Sequence, residues 1–266
     1  MCGIVGYVGA RSAHDVVIKG LKRLEYRGYD SAGIAVIEKG LKVTKCKGKV
    51  TQLESLIDKS AHATMGIGHT RWATHGEPND INSHPHTSTD GKIAVVHNGI
   101  IENYTALKVQ LQSQGHLFYS DTDTEIVAKL IQQFYNDPKV TSLEKAVQLA
   151  TKQINGTYGL AVIHEDFPEQ IVVARRGSPL LLGVGEHEMI IASDASAVAE
   201  YTDRVVYLDD NETAIIRHDG YEVMSNDFNP LEKQVHELQM SLEEIEKGGY
   251  PFFMLKEIFE QPKTIG

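Results

Sequence analysis

The order of periodic segments predicts an α+β domain of stacked layers with largely antiparallel sheets. Three observations carry this. Short β-like runs fill the first hundred residues, three helical patterns follow, and from residue 158 to 223 the chain reads as one strand after another. Most of these runs are joined by short turns, which argues against a doubly wound sheet.

Gly3 and Gly6 flank the apolar pair Ile4-Val5, and Tyr7-Val8 follows, so a buried strand is expected directly after Cys2. A terminus tied into a sheet is held in place and can present its first side chain accurately. Val16, Val17, Gly20, Leu21 and Leu24 recur at helical spacing, and Tyr26-Arg27-Gly28 supplies a stop. Strands over 32–37 and 41–45 bracket the hairpin signal Glu38-Lys39-Gly40, and 50–57 reads as a short helix. Strands over 65–70 and 92–97 enclose a polar connection, 72–91, the longest irregular stretch of the chain. Its Trp, His and Asn content favours a functional loop. Helices are predicted over 104–114, 124–135 and 143–154. Strands are predicted over 160–163, 171–175, 180–184, 189–192, 205–208 and 213–216. From Asn229 the composition turns to Glu and Lys and reads as a solvated connector. The domain is therefore expected to occupy 1–240, with 241–266 leading into a further region. The apolar run 248–255 is expected to dock against another surface.

With 266 residues, a net charge of −10 and a sequence pI near 5.6, the chain has ample core-forming content and no basic face for a phosphate backbone. Nucleic-acid binding is not expected. There is no charged-then-apolar leader and no long apolar run, so neither secretion nor membrane insertion is expected. Cys2 and Cys46 are expected to be free thiols of a cytoplasmic protein. Cys46 lies in a strand-end alternation and reads as structural.

Cys2 carries the most chemistry. A methionine before so small a residue is normally excised, and the mature chain would then carry a thiol and a free α-amine on one carbon. With ordinary pKa values of ~8.5 and ~7.7–8.0, the pair can exchange a proton near neutral pH. One residue would be nucleophile and base together. Arg71, at a strand end, could grip a carboxylate through its guanidinium, although an arginine there is equally at home on a surface. Trp72, the only tryptophan, is more often core. Asn98-Gly99 closes an apolar strand and could supply a side-chain and a backbone N–H to an oxyanion, while the dipeptide alone favours a turn. Asp121, Thr122 and Asp123 precede a helix, where one of them should cap it; Asp123 could instead meet an ammonium group. His69, His75, His84, His86 and His97 crowd one span. They lack helical or Cys-x-x-Cys metal spacing, so hydrogen bonding around a polar pocket is expected, with no metal and no cofactor.

Taken together, Cys2-Gly3-Ile4-Val5-Gly6, the 23–33 stretch RLEYRGYDSAG, His69 to Gly76, the 97–103 stretch HNGIIEN and Thr122-Asp123-Thr124-Glu125 resemble the class II glutamine amidotransferases. Within them, the chain is most similar to the glutaminase part of the glucosamine-6-phosphate synthase family. The likeness runs over essentially the whole chain. It implies a four-layer αββα N-terminal nucleophile hydrolase sandwich with two antiparallel sheets. It also implies roles: Cys2 attacks the side-chain amide of L-glutamine, its amine relays the proton to ammonia, and Asn98 and Gly99 hold the oxyanion. Arg71 would clamp the substrate carboxylate and Asp123 its ammonium. Thr74, His75 and Gly76 would line a closing loop, and Trp72 would gate an ammonia path. Arg27, Gly28 and His86 would support the site. The family further implies C-terminal sugar-isomerase domains that bind fructose 6-phosphate. It also implies a homodimer of the longer protein and a monomer or weak dimer of the glutaminase part alone. The alternatives are another class II amidotransferase domain, an N-terminal-nucleophile amide hydrolase of different substrate, or a regulatory ligand-binding module.

Overall fold

Both faces of the first strand are buried, and that single fact sets the layering. The computed structural model describes residues 2–58, 62–74, 76–238, 250 and 253–264. In chain order the strands are β1 (Gly3–Val8), β2 (Ser31–Ile37), β3 (Leu41–Lys47), β4 (Met65–Arg71), β5 (His86–Thr87), β6 (Ile93–Ile101), β7 (Gly156–His164) and β8 (Ile171–Arg176). They continue with β9 (Leu181–Val184), β10 (Met189–Ala192), β11 (Arg204–Tyr207), β12 (Glu212–Arg217), β13 (Gly220–Met224), β14 (Pro230–Leu231) and β15 (His236–Glu237). The helices are α1 (Ala13–Leu24), α2 (Val50–Leu56), α3 (Tyr104–Ser113), α4 (Thr124–Tyr135), α5 (Leu143–Gln153) and α6 (Phe253–Thr264).

One sheet has eight strands in the order β15-β11-β9-β10-β1-β4-β2-β3, the other seven in the order β14-β13-β12-β8-β7-β6-β5, and the ladders within both are antiparallel. Alternation along β1 sends Ile4 and Val8 toward the second sheet and Val5 and Tyr7 toward α1. Ile4, Ile67 and Ile191 of the first sheet meet Val96, Ile163 and Val173 of the second in one inter-sheet core. Outside it, Val17 and Leu21 of α1 cover the first sheet, while Ile126 and Leu130 of α4 and Val147 of α5 cover the second. This is the αββα arrangement. Because each sheet is buried on both faces, its central strands read as continuous apolar runs although they are antiparallel. α1 begins at Ser12, whose hydroxyl accepts from the Asp15 N–H, and ends with Lys22 and Arg23 at its negative pole.

The structure departs from the sequence reading at four places. The connection over 72–91 contains β5, which pairs with β6 through His86 and Val95. β6 does not stop before Asn98-Gly99 in a turn. It runs on to Ile101, paired with β7 as Asn98 to Gly159 and Gly99 to Tyr158, and bends at Gly99, where φ is 132°. The strand-rich stretch up to residue 223 holds one strand more than those assigned individually, β13 after β12. The Glu/Lys-rich stretch after Asn229 is not a free connector either: β14 closes an edge of one sheet and β15 an edge of the other. Its charged, exposed residues are what an edge strand tolerates.

Half of 241–266 cannot be compared with expectation, since 241–249, 251, 252, 265 and 266 lie outside the described residues, as does half of the 248–255 run. α6 follows, and its Met254, Ile258 and Phe259 side chains stand exposed. Among the described residues no helix is long and apolar enough to cross a membrane, and no group of His, Cys, Asp and Glu is arranged to hold a metal ion.

Candidate active site

β1 and β6 lie in different sheets, and the site forms where the start of one meets the kinked end of the other. Cys2 precedes β1, whose neighbours β4 and β10 hold it on both sides. The Ile4 N–H donates to Ser193 Oγ at 2.9 Å, and the Ser193 N–H donates to the Ile4 carbonyl at 3.1 Å. Arg27 reinforces this corner, reaching the Ser193 carbonyl at 3.4 Å and the Asp194 carboxylate at 3.6 Å. The first strand is thus tied down within two residues of the thiol.

A cavity of about 500 Å³ opens there. Of the residues singled out in the sequence, Cys2, Arg27, Arg71, Trp72, Thr74, Asn98, Gly99 and Asp123 line it, as do Thr122, His84 and His97. Cys2 Sγ accepts the backbone N–H of Trp72 at 3.1 Å and donates to the Trp72 carbonyl at 3.4 Å. Burial pushes the thiol above its ordinary pKa, and the Trp72 N–H works in the opposite direction. Asn98 is 9% exposed, with its Nδ2 donating to the Cys2 carbonyl at 3.3 Å. The bend at Gly99 is specific to glycine: a Cβ there would lie 2.1 Å from the Thr157 carbonyl oxygen.

Two side chains of opposite charge also line the cavity. Arg71, the last residue of β4, is 4% exposed; its Nη2 donates to the Gly76 carbonyl at 3.0 Å, and its Nη1 lies 3.8 Å from Asp30 Oδ1. Asp123 is 5% exposed. It occupies the N-cap position of α4, yet its side chain makes no capping bond. Oδ2 accepts the Ile101 N–H at 2.8 Å instead, which binds the start of α4 to the end of β6. The cap expected from Asp121, Thr122 or Asp123 is therefore a junction between elements.

The remaining expected residues frame the cavity. Trp72 is 54% exposed and not core; its ring covers Gly28, where a Cβ would come within 2.6 Å of the indole. Gly76, at φ 77°, packs against Asn82 and Asp121 and lends its carbonyl to Arg71. His86 is buried away from the cavity and meets it through Thr122, at 2.9 Å from that hydroxyl. His75 lies outside the described residues. The histidine crowd makes hydrogen bonds: His97 Nδ1 pairs with Thr124 Oγ1 at 2.9 Å, and the His97 N–H donates to His84 Nδ1 at 3.4 Å. Burial lowers the pKa of His84, His86 and His97, and that of His69 to about 3.

A sequence profile described as a glutamine amidotransferase domain matches residues 54–250, most of the chain. The chain belongs to the glutamine amidotransferase domain family. Among curated relatives it is 51% identical to a glutamine--fructose-6-phosphate aminotransferase [isomerizing] of Chlorobaculum tepidum. It is 52% identical to one of Bacteroides thetaiotaomicron. Each alignment covers 100% of this chain and 44% of the relative. The chain thus spans under half the length of the curated relatives it matches. Among solved structures, a glutamine phosphoribosylpyrophosphate amidotransferase from B. subtilis, complexed with ADP and GMP, superimposes with a TM-score of 0.72. Its identity is 28% over 86% of this chain and 50% of that one.

For this amidotransferase domain, sequence reasoning missed Asp30, which accepts the Ala73 N–H and donates its own N–H to the Arg71 carbonyl at 2.7 Å, so that it braces both sides of Trp72. Its place in the Tyr29-Asp30-Ser31 stretch is the one signal the sequence offers. Ser178-Pro179 and Thr157 also line the cavity. They arrive from β7 and the turn after β8, and nothing local in the sequence marks them.

Proposed function

We propose that the cavity hydrolyses the side-chain amide of L-glutamine, with Cys2 as nucleophile. One observation carries the reading: a thiol, two amide-type donors and two buried side chains of opposite charge line a single cavity of about 500 Å³. A free α-amino acid presents a carboxylate and an ammonium at one end, and Arg71 and Asp123 offer the complementary pair. Its carboxamide then reaches toward Cys2.

Once Met1 is removed, the Cys2 amine takes the thiol proton as Sγ bonds to the amide carbon. The carbonyl π electrons move to oxygen, where the Asn98 Nδ2–H and the Gly99 N–H stabilise the charge. The ammonium proton passes to the departing nitrogen, the C–N bond breaks and ammonia leaves a γ-glutamyl thioester. Water then adds to that carbon, giving its proton to the amine. The C–S bond breaks, and the thiol and glutamate form. Trp72, with Thr74, His75 and Gly76, covers the bound amino acid. Arg27 and Gly28 hold the corner beneath, and His86 steadies Thr122.

In a longer protein like the curated relatives, the ammonia would be passed to following sugar-isomerase domains to aminate fructose 6-phosphate, in the cytoplasm and in a homodimer. Residues 1–240 are the glutaminase and 241–266 lead toward that region. The test is glutamate release from L-glutamine by the chain with Met1 removed, beside a Cys2→Ala variant. Release that depends on Cys2 is expected; a processed chain that binds glutamine without cleaving it would favour a regulatory module.

A further inference from the structure

An asparagine side chain has two ends of nearly the same shape, and only the NH2 end can donate to an oxyanion. Some group must decide which end faces Cys2. His69 Nε2 lies 2.9 Å from Asn98 Oδ1, while Asn98 Nδ2 faces the Cys2 carbonyl. A carbonyl only accepts, so the Cys2 side needs the NH2 end and leaves Oδ1 to His69. The imidazole must then donate from Nε2.

The surroundings of His69 agree with that tautomer. The residue is 0% exposed, paired in β4 with Ile4 of β1, and its Nδ1 has no hydrogen-bond partner. A buried bare nitrogen is tolerated far better than a buried N–H with no acceptor. Burial holds the pKa at about 3, so the ring is neutral over any working range and carries one N–H. The His84 ring stacks on it at 4.2 Å and 26°, which fixes the imidazole plane. Rotating the Asn98 amide would set NH2 against N–H on one side and oxygen against oxygen on the other.

We infer that His69 is the positioning residue of the oxyanion site, its Nε2–H locking the Asn98 amide with the donor end toward Cys2. This rests on the reading of Asn98 as an oxyanion donor. His69 does not line the cavity and acts only through Asn98.

The test uses the full chain with Met1 removed and compares His69→Leu, which has no donor, with His69→Gln, which keeps an N–H. For His69→Leu, kcat for glutamine should fall about 10- to 100-fold, short of the roughly 10²–10³-fold cost of deleting an oxyanion donor outright. KM should hold, because Arg71 and Asp123 are untouched, and His69→Gln should recover most of the rate. Alkylation of Cys2 by iodoacetamide, a displacement at carbon that builds no oxyanion, should proceed at the wild-type rate in both. Unchanged kcat in His69→Leu overturns the inference. So does a parallel loss of turnover and alkylation in both variants, which marks a structural role. Imidazole 15N spectra of the wild-type chain read the tautomer without any variant: a protonated Nδ1 on His69 overturns it. An Asn98→Ala variant with full activity would instead sink the oxyanion reading itself.

Discussion

The backbone N–H of Trp72 points at the Cys2 sulfur from 3.1 Å, and the same thiol faces the Trp72 carbonyl at 3.4 Å. The main chain just past the buried end of β4 thus holds the thiol, while the Trp72 side chain remains 54% exposed. Anything that reorders the 72–74 segment must also change the environment of the thiol.

Burial raises the Cys2 pKa above its ordinary value, so with Met1 in place the thiol is protonated at neutral pH and the nitrogen on its own Cα is an amide, not a base. Alkylation of that form is expected to stay slow at pH 7 and to climb only beyond the ordinary thiol range. Removing Met1 supplies the base, and glutamate release should rise by about 10²-fold or more. Intact mass and a glutamate assay on the two forms check this. Equal turnover by the Met1-bearing chain would refute it.

The observed bond of Asp123 to the Ile101 N–H and its proposed contact with the substrate ammonium can be separated. Asp123→Asn keeps an oxygen for the Ile101 N–H and removes the charge. It should fold normally yet raise the KM for glutamine by roughly tenfold or more, a charge-assisted bond being worth about 1.5–3 kcal/mol. Asp123→Ala also strands the Ile101 N–H and should lose about 1–3 kcal/mol of stability. Steady-state kinetics and urea midpoints of the two variants distinguish the roles; an unchanged KM for Asp123→Asn removes the ammonium contact.

How far these relationships are legible in the sequence depends on their reach along the chain. The buried strand after Cys2, the α1 stripe and the three central helices follow from local periodicity, and α4 falls where expected, at Thr124–Tyr135. Arg71, Asn98 and Asp123 are visible as chemistry in unusual positions. What is not visible is the closure between elements. The 121–123 stretch reads as the source of a cap because the sequence cannot show the Ile101 N–H waiting 22 residues upstream of Asp123. Asn98-Gly99 reads as a turn because φ 132° inside a paired strand arises from the Thr157 carbonyl on β7. Edge strands such as β14 and β15 are too short and too charged to carry a pattern.

Gly99→Ala tests that closure directly. A Cβ placed 2.1 Å from a backbone oxygen cannot be absorbed by a rotamer change, so β6 or β7 must shift. Stability should fall by about 1–3 kcal/mol from the backbone alone. Glutamine turnover should drop by about 10²-fold as the oxyanion donors separate. Circular dichroism melts and kcat values measure both, and a variant with wild-type turnover would show the bend to be unnecessary.

Four of the buried histidines, those grouped beside the cavity, make stability depend on pH in a defined direction. His69, His84, His86 and His97 all have pKa values below the ordinary 6.5, because burial penalises the imidazolium. Below pH 6.5 the unfolded chain takes up protons that the folded chain refuses. Stability is therefore fully present above that value and is lost as pH falls, by up to about 1.4 kcal/mol per pH unit for each such histidine. Urea midpoints at pH 7.5 and 5 should differ steeply. In His84→Asn the difference should shrink by about one proton's worth, and an identical slope would mean that this ring titrates freely in the folded state.

The stretch after Asn229 gives the last test, of where the folded unit ends. β14 and β15 close opposite sheets. Between them Lys233 Nζ meets Asp209 at 2.7 Å and both oxygens of the buried Glu212 at 2.9 and 3.0 Å. Removing the stretch from Asn229 onward takes Lys233 away, leaves the Glu212 carboxylate, 7% exposed, without that cation, and strips the partners from the outer edges of β11 and β13. A chain ending after Leu238 should keep the melting temperature and the glutaminase rate of the full chain. One ending after Phe228 should lose about 3–5 kcal/mol, the cost of breaking a buried pair on one side. If both truncations melt alike, the edge strands contribute nothing and the unit ends at β13.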